Sequence, residues 1–549
     1  MTVDTDASQT ESSASRRDPQ RLLRYWFPIA WTLLLVGLGL VLRSREIEDH
    51  GVVNSSTYFL GLLLFLGLSL WVLFRSRWKW RWRWVAAVAP WALLGLLLLL
   101  LRPDWSGDLS IVDVRLRWAP RSDQRLPSLE LKNSLAEHWK STDQDYPRFL
   151  GNGYWAEVKG VRLETDWEKY SPRQLWKQPI GAGWSAFALV GPYAITQEQR
   201  GPDELVTCYE TATGRMIWAH SDPVRFDPSG GGALGKVGPR ATPTVFQDKV
   251  LTQGATGVLN CLDAISGQVL WSHDTLQENG ARNVTWGKSG SPLIVENDDG
   301  NHLVVVSVGG PDERSLIAYD LQSGEVVWSA GNRRSAYASP VVANLAGVRQ
   351  ILVVNEDYLS AHRADDGALL WEHPWPGKSD TNATVSQPVP LAGDRVFLSK
   401  AYGAGATLLQ IERDDQGTFT TEPLWRPAIK QVMKTKLNNV VVRDGFVYGL
   451  DDTMLECIEL ETGRRLWKKR RLPKFGHGQI VLVGEVILVL SEFGEVILVE
   501  AAPQQYRELA SMRVFDESQI TWNNPALAGP MLVVRNAKQA ACYELPLAK

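Results

Sequence analysis

Five stretches of this chain repeat one pattern, and this repetition restricts the fold more than any other feature. Each stretch begins with Ala or Cys, has Gly six residues later and ends with Trp four residues after the Gly. The stretches are 208–218, 261–271, 318–328, 361–371 and 457–467. Self-similarity at such a spacing is typical of a protein built from stacked copies of one structural unit.

The sequence of each unit predicts two strands joined by a tight turn. Ser, Thr or Asp before the Gly offers a side-chain acceptor to the turn amides, and the Gly permits a positive φ. Two further short apolar runs precede each unit, for example 340–343 and 350–355, which gives about four strands per repeat. Four-stranded antiparallel units that repeat without intervening helices predict the blades of a β-propeller.

The outer-strand Trp gives the number of blades. This Trp or its equivalent recurs at Trp176, Trp218, Trp271, Trp328, Trp371, Trp425, Trp467 and a degenerate position near Leu509. The sequence therefore predicts an all-β, eight-bladed propeller over residues 171–549. The last repeat ends before a fourth strand, and residues 174–180 have the outer-strand pattern with no blade before them. We predict that 174–180 complete the eighth blade, because closure removes open sheet edges.

Three apolar stretches precede the propeller, at about residues 25–42, 58–74 and 85–101. Each is about long enough to cross the hydrocarbon layer as a helix, so residues 25–101 are predicted to form three transmembrane α-helices. The second and third stretches argue against a cleavable signal peptide. Basic residues cluster before the first stretch and between the second and third. The positive-inside rule then predicts a cytoplasmic tail over 1–24 and a multi-pass inner-membrane protein with its propeller on the periplasmic side.

Residues 77–84 alternate Arg or Lys with Trp. Cations and stacking rings would suit nucleic acid or anionic lipid. Interfacial Trp and snorkelling basic side chains at helix ends are the more ordinary interpretation, and we favour it. The net charge of −3 gives no reason to expect a nucleic-acid partner. The lipid bilayer is thus the partner that this segment predicts.

Residues 102–170 are predicted to be a periplasmic linker, with weak helical character over 128–140. The four cysteines, Cys208, Cys261, Cys457 and Cys542, fall at one repeat position in different blades. A small, buried, apolar role is expected for them rather than a disulfide or a metal site. Asp365, Asp366, Asp451 and Asp452 sit where turns are expected and are interpreted as solvated.

A ligand site in a propeller would lie at the mouth of the central channel, where the inner strands converge. Alignment of those strands on a recurring Pro places six residues at one level: Trp184, Arg240, Ser289, Tyr337, His477 and Trp522. Arg240 with Tyr337, His477 and Trp522 would suit an anionic aromatic ligand. The alternative is that these side chains plug the channel or pack between blades. The sequence identifies no catalytic residue and no metal ligand.

The repeat resembles that of the pyrroloquinoline quinone (PQQ)-type propellers over about residues 172–549. It is especially similar to membrane-anchored PQQ-like repeat proteins of planctomycetes. The stretches that carry this likeness are 145–153, 175–181, 238–243, 254–264, 289–293 and 491–501. The resemblance implies a quinoprotein-like fold.

Two kinds of relative frame the function. Quinoprotein dehydrogenases, including membrane glucose dehydrogenase, bind PQQ and Ca²⁺. The propeller lipoprotein of the outer-membrane protein assembly machinery binds protein partners and no quinone. The chain lacks the adjacent Cys pair of the alcohol dehydrogenase members. We therefore favour an interaction or ligand-binding module in the cell envelope, with envelope protein partners, and keep a PQQ- and Ca²⁺-dependent dehydrogenase passing electrons to membrane quinone as the alternative.

Overall fold

The computed structural model describes residues 19–44, 50–105, 109–126, 134–153, 155–228, 236–425, 431–517 and 519–548. Two compact units are present, Met1–Arg102 and Pro103–Lys549. Most of the predicted cytoplasmic tail, at 1–18, lies outside the described residues, as do residues 45–49.

The first unit consists of three helices, each long and apolar enough to cross a membrane. They are α1 (Pro19–Ser44), α2 (His50–Arg75) and α3 (Trp80–Leu100). Indole N–H groups link them: Trp31 donates to the carbonyl of Leu63 (3.3 Å), and Trp91 donates to the hydroxyl of Ser69 (3.0 Å). Each helix is longer than the predicted apolar stretch, because a helix keeps its backbone hydrogen bonds as it passes from hydrocarbon into the interface.

A two-stranded sheet, β1 (Leu101–Trp105) with β2 (Ile111–Leu116), and a short helix, α4 (Ser122–Arg125), follow. Asp123 in α4 is buried and accepts a hydrogen bond from Arg225 Nη1 at 2.7 Å. Its backbone carbonyl accepts from the amide of Gly201 at 3.2 Å. These contacts attach α4 to the first blade.

Eight antiparallel sheets form the propeller, which confirms the predicted fold class. Blades 1–4 are β5 (Ala188–Val190), β6 (Tyr193–Arg200), β7 (Asp203–Glu210), β8 (Met216–Asp222); β9 (Thr244–Phe246), β10 (Lys249–Gln253), β11 (Val258–Asp263), β12 (Val269–Asp274); β13 (Leu293–Glu296), β14 (His302–Gly310), β15 (Arg314–Asp320), β16 (Val326–Ala330); and β17 (Val341–Leu345), β18 (Val348–Val354), β19 (Tyr358–Arg363), β20 (Leu369–Pro374). A single helical turn, α5 (Thr275–Glu278), follows β12.

Blades 5–8 continue the series. They are β21 (Val389–Leu391), β22 (Arg395–Lys400), β23 (Gly405–Arg413), β24 (Phe419–Pro423); β25 (Val441–Arg443), β26 (Phe446–Asp451), β27 (Met454–Glu459), β28 (Arg465–Lys469); β29 (Gln479–Val483), β30 (Val486–Leu490), β31 (Glu495–Glu500), β32 (Glu508–Arg513); and β33 (Ala526–Ala528), β34 (Met531–Arg535), β35 (Gln539–Glu544) with β4 (Arg173–Pro179). Strand β4, from the beginning of the propeller, is thus the fourth strand of the last sheet, and Trp176 lies opposite Cys542.

The repeated Trp and Gly hold neighbouring blades together. Trp218 of blade 1 donates its indole N–H to the carbonyl of Ala264 in blade 2 at 3.0 Å. Gly267 in blade 2 has φ of 72°, and a Cβ there would lie 2.5 Å from the Trp218 ring. Trp176 meets Gly214 and Trp271 meets Gly324 in the same way. The Gly is therefore needed both for its backbone conformation and for the ring that rests on it.

Seven of the eight outer strands carry a bulge just before this Trp position, and β24 of blade 5 pairs without one. Cys208 lies opposite Trp218, and Tyr209 lies opposite Met216, so Ile217 is the extra residue. In blade 7 the register pairs Leu498 with Ala510. Ala510, next to the predicted Leu509, therefore occupies the Trp position of that blade. All four cysteines are buried and free.

Residues 134–153 and 155–170, here called the strap, differ from the expected linker. Tyr146 pairs with Leu189 of β5, the carbonyl of Pro147 accepts from Val245 of β9, and β3 (Glu157–Val158) pairs in parallel with β29. The strap therefore touches inner strands of blades 1, 2 and 7. Residues 134–140 contain a turn at 137–138 and no helix, and 127–133 lie outside the described residues. A short, Pro- and Gly-containing segment gives little periodic signal for such packing.

Candidate functional site

The channel mouth lies on the face opposite the strap. Strand turns alternate between the two faces of an antiparallel blade, and the strap contacts the turns between first and second strands, as at Gly191 and Gly484. The predicted site residues precede the inner strands and so lie on the other face.

Three of the predicted residues come together around a carboxylate. The rings of Trp184 and Trp522 lie 4.8 Å apart with a tilt of 38°. Trp522 Nε1 donates to Glu492 Oε1 (3.0 Å), and the backbone amide of His477 donates to Glu492 Oε2 (2.9 Å). This group, the tryptophan cluster, joins blades 7, 8 and 1. Glu492 was missed by the sequence because it follows the second strand of blade 7, whereas the alignment used inner strands only.

Two other predicted residues, Ser289 and Tyr337, form a second group. The Tyr337 hydroxyl donates to the carbonyl of Ser379 (2.7 Å) and accepts from the amide of Trp286 (3.1 Å). The rings of Trp286 and Tyr337 stack with centroids 5.5 Å apart. Ser289 Oγ donates to the carbonyl of Tyr337 at 2.7 Å. Burial raises the pKa of the Tyr337 phenol, so it stays protonated.

Arg240 is the predicted site residue that could supply a positive charge to an anionic ligand. Its guanidinium donates to the carbonyls of Gly238 and Lys236 and lies 4.6 Å from the Phe226 ring centroid. Burial lowers the pKa of Arg240 to about 10, although the charge of Glu204 acts against this shift. Arg240 thus remains cationic at neutral pH and lies beside the Phe226 ring.

A belt of polar side chains lies just behind the mouth and joins all eight blades. Most of its members lie just before the inner strands, and in blades 2, 3 and 4 they are Thr242, Ser291 and Ser339, each followed by Pro. Gln479 is the first residue of β29. The bonds are Ala186 N to Thr242 Oγ1 (3.3 Å), Thr242 N to Ser291 Oγ (3.0 Å), Ser291 N to Ser339 Oγ (2.9 Å), Gln387 Nε2 to the Ser339 carbonyl (3.3 Å), Gln387 N to Asn439 Oδ1 (2.8 Å), Gln479 Nε2 to the carbonyls of Leu437 (2.7 Å) and Trp522 (3.0 Å), and Asn523 Nδ2 to the Ser185 carbonyl (2.8 Å). This belt fixes the inner strands and hence the mouth.

Asp451 and Asp452 are buried, so their interpretation as solvated turn residues is wrong. Asp451 lies 3.2 Å from Lys468 Nζ and 3.4 Å from Arg465 Nη2. Glu456, also buried, contacts Arg465 and accepts from the amide of Met433 at 2.6 Å. Burial raises the pKa of Glu456 to about 7, and the charge of Asp451 adds to the shift. Asp366, by contrast, is exposed.

The mouth does not fit the Ca²⁺ that accompanies PQQ in dehydrogenases. Ca²⁺ takes six to eight oxygen ligands, several of them carboxylate. Both oxygens of Glu492 already accept protein hydrogen bonds. Within the described ranges, no three His, Cys, Asp or Glu side chains gather as a potential metal site.

The outer rim of the propeller has an apolar side and a polar side. Two positions before the Trp, blades 2, 3 and 4 carry exposed Val269, Val326 and Leu369. The equivalent residues on blades 6, 7 and 8 are Arg465, Glu508 and Gln174. Glu508 pairs with Arg471 at 2.8 Å. Charged outer strands discourage edge pairing, whereas apolar ones invite it.

Comparison with known proteins points to one family of propellers. The family model described as "Outer membrane protein assembly factor BamB" matches residues 202–469. The BamB protein of Moranella endobia (strain PCIT) is 26% identical over 270 residues, which is 47% of this chain and 64% of that protein. The glycerol dehydrogenase large subunit of Gluconobacter thailandicus is 26% identical over 220 residues, which is 36% of this chain and 27% of that subunit. The chain thus spans less than two thirds of these relatives.

A solved structure shares the fold. Quinohemoprotein alcohol dehydrogenase ADHIIG from Pseudomonas putida HK5 superposes with a TM-score of 0.50 at 12% identity. The superposition covers 74% of this chain and 81% of that enzyme. At this identity the likeness concerns the fold alone.

Proposed function

Because this chain belongs to the PQQ-like repeat β-propeller family, we propose that it is a membrane-anchored protein-interaction module of the cell envelope. The observation that carries the proposal is the apolar side of the rim, formed by Val269, Val326 and Leu369 on three adjacent blades. Clustered apolar residues on a soluble surface mark interaction sites.

The location follows from the N-terminal helices and the charges around them. Helices α1, α2 and α3 have the length and composition of membrane spans. The basic segment 75–83 has the composition that the positive-inside rule associates with the cytoplasm. With an odd number of spans, this supports our proposal that the propeller lies on the periplasmic side of the inner membrane. The naming of its relatives as outer membrane assembly factors supports envelope protein partners for this chain as well.

We also propose the channel mouth as the place where a small anionic aromatic ligand would bind. Arg240 would supply the charge, with Tyr337 and the tryptophan cluster supplying aromatic faces and His477 a polar contact. The engagement of Glu492 by Trp522 and His477 favours such a recognition role over calcium-dependent oxidation.

Photo-crosslinking in intact membranes tests the main proposal. A photoreactive amino acid at Val326 should give discrete products with one envelope protein, and the same residue at Gln174, on the polar side of the rim, should not. Addition of PQQ and Ca²⁺ to the purified chain provides the opposing test. Tight saturable binding by calorimetry with reduction of an electron-accepting dye would replace the interaction module with a dehydrogenase.

A further inference from the structure

The chain itself fills one groove on the rim. The amide of Ser134 donates to the carbonyl of Ile217 at 2.8 Å, and the amide of Ala136 donates to the carbonyl of Ile265 at 2.9 Å. Amides of alternate residues pointing the same way are typical of an extended strand. Ala136 is fully buried between blades 1 and 2, and only 3% of Ile217 is exposed.

The same groove recurs between blades 2 and 3. Ile217 is the bulge residue before Trp218, and Leu270 has that place before Trp271. Ile265 stands two residues before the turn Gly267, and Gln322 stands two residues before Gly324. Leu270 is 49% exposed, in contrast to the covered Ile217. The repeat has therefore built a second copy of the strap's binding groove, and there the described residues leave Leu270 half exposed.

We propose that the groove between Leu270 and Gln322 binds an extended segment of a partner protein, in the way that residues 134–136 occupy the groove of blades 1 and 2. This inference rests on the proposed function and gives the partner a chemistry. The segment presents a small apolar side chain to the groove, and the N–H groups of alternate residues donate to the carbonyls of Leu270 and Gln322. Binding of this kind combines main-chain hydrogen bonds with side-chain selection.

The character of the surrounding rim fits a strand as the occupant. Val269 and Val326 flank the groove with exposed apolar side chains. On blade 8 the equivalent strand carries Arg173 paired with Glu544, and on blade 7 it carries Glu508 paired with Arg471. Such charges protect an edge strand from pairing, and the groove of blades 2 and 3 has Val269 and Leu270 instead.

A synthetic peptide provides a defined probe. The probe copies residues 132–140 of this chain, carries a fluorophore and is titrated into the full-length protein in detergent, with binding read by fluorescence anisotropy. A second peptide is N-methylated at the positions of Ser134 and Ala136, which removes both donors and leaves the side chains unchanged.

We expect the unmodified peptide to bind and the methylated peptide to lose at least about tenfold in affinity. Val269→Lys and Leu270→Lys, both at half-exposed positions, should weaken binding by at least about tenfold because an ammonium group would be desolvated in the groove. Gln174→Lys, at the position of Val269 on blade 8, is the matched control and should change affinity less than about twofold.

Three outcomes would overturn the inference. They are no binding of the probe, equal binding of both peptides, and equal binding by all three lysine variants and the unmodified protein. If sedimentation showed that Leu270→Lys dissociates a homodimer, the groove would join two copies of this chain and not a partner. Failure here, together with crosslinking of an envelope protein from another part of the propeller, would reject this groove and leave the proposed function standing.

Discussion

Replacement of Gly267 by Ala tests whether contact between a turn and the preceding Trp holds the blades together. Gly300 provides the matched control, because its φ of 79° is close to the 72° of Gly267 but a Cβ there would meet nothing within 4 Å. Both alanine variants incur the cost of a positive φ, about 1–2 kcal/mol. Only Gly267→Ala also places a methyl group 2.5 Å from Trp218.

The additional cost at Gly267 can be worked out from the contact. Trp218 is almost wholly buried, so its ring has little room to move. Overpacking of this kind costs about 1–3 kcal/mol, and displacement of the ring would also strain the hydrogen bond from Trp218 to Ala264, worth about 1 kcal/mol. We therefore expect Gly267→Ala to lower the free energy of unfolding by about 2–4 kcal/mol more than Gly300→Ala does.

Urea unfolding of the purified chain, followed by circular dichroism in the β-sheet region, measures this difference. In both variants, the free energy of unfolding should depend on urea concentration with the same slope as in the unmodified protein. The shift in the midpoint of unfolding then reports the change in stability. Equal midpoints for the two variants would refute the role assigned to the Trp–Gly contact.

Four further predictions follow from particular contacts. Arg535 is fully buried and donates to Thr196 Oγ1, to the carbonyl of Gln197 and to the carbonyl of Gly181, each at 2.8 Å. Arg535→Met should therefore lower the free energy of unfolding in urea by at least about 3 kcal/mol. Arg513→Met, which removes a surface ion pair with Glu517, should lower it by less than about 1 kcal/mol. Burial raises the pKa of Glu204 to about 7. An unfolded Glu ionises near pH 4.3, so the stability that the protonated Glu204 carboxyl contributes is fully present below that pH and is lost as the pH rises through 7. Glu204→Gln should therefore raise the free energy of unfolding by about 2–4 kcal/mol at pH 7.5 and leave it unchanged at pH 4. Equal gains at both pH values would contradict the raised pKa of Glu204. Asp145 accepts from the amides of Thr142 and Gly191; Asp145→Ala should speed limited proteolysis within the strap, and unchanged cleavage would show that the strap is held by other contacts. Trp522→Phe removes the indole donor to Glu492 and should alter near-ultraviolet circular dichroism from the Trp184 pair without loss of the β-sheet signal; retention of the near-ultraviolet spectrum would contradict that pairing.

The propeller could be predicted because its determinants repeat. In the five repeated stretches, the turn Gly and the Trp recur at a fixed spacing. The Trp of one blade packs against the turn Gly of the next blade, as Trp218 packs against Gly267. The position of β4 in the last blade could also be predicted, because residues 174–180 have the pattern of an outer strand and no other strands of a blade precede them. Local turn chemistry and strand periodicity are the signals that a single sequence carries well.

The strap and the buried charged residues around Asp451 could not be predicted, because their structure depends on contacts between residues that are far apart in sequence. Asp451 looks like any turn carboxylate, and only the fold brings Lys434 and Lys468 to it. Tyr146 gains its partner, Leu189, from an inner strand of blade 1. The candidate site residues were selected by alignment on Pro, and that alignment could not show that Glu492 would accept hydrogen bonds from both His477 and Trp522.

The order in which the last sheet acquires its strands has a consequence for biogenesis. Strand β4 leaves the ribosome before any other propeller strand, yet its hydrogen-bonding partner β35 is the last of the propeller strands to be made. Ladders between such distant segments form slowly, because a long loop must close first. During synthesis, Arg173–Pro179 must therefore wait as an unpaired strand, and its four polar residues, Arg173, Gln174, Lys177 and Gln178, keep that strand hydrophilic until β35 is made.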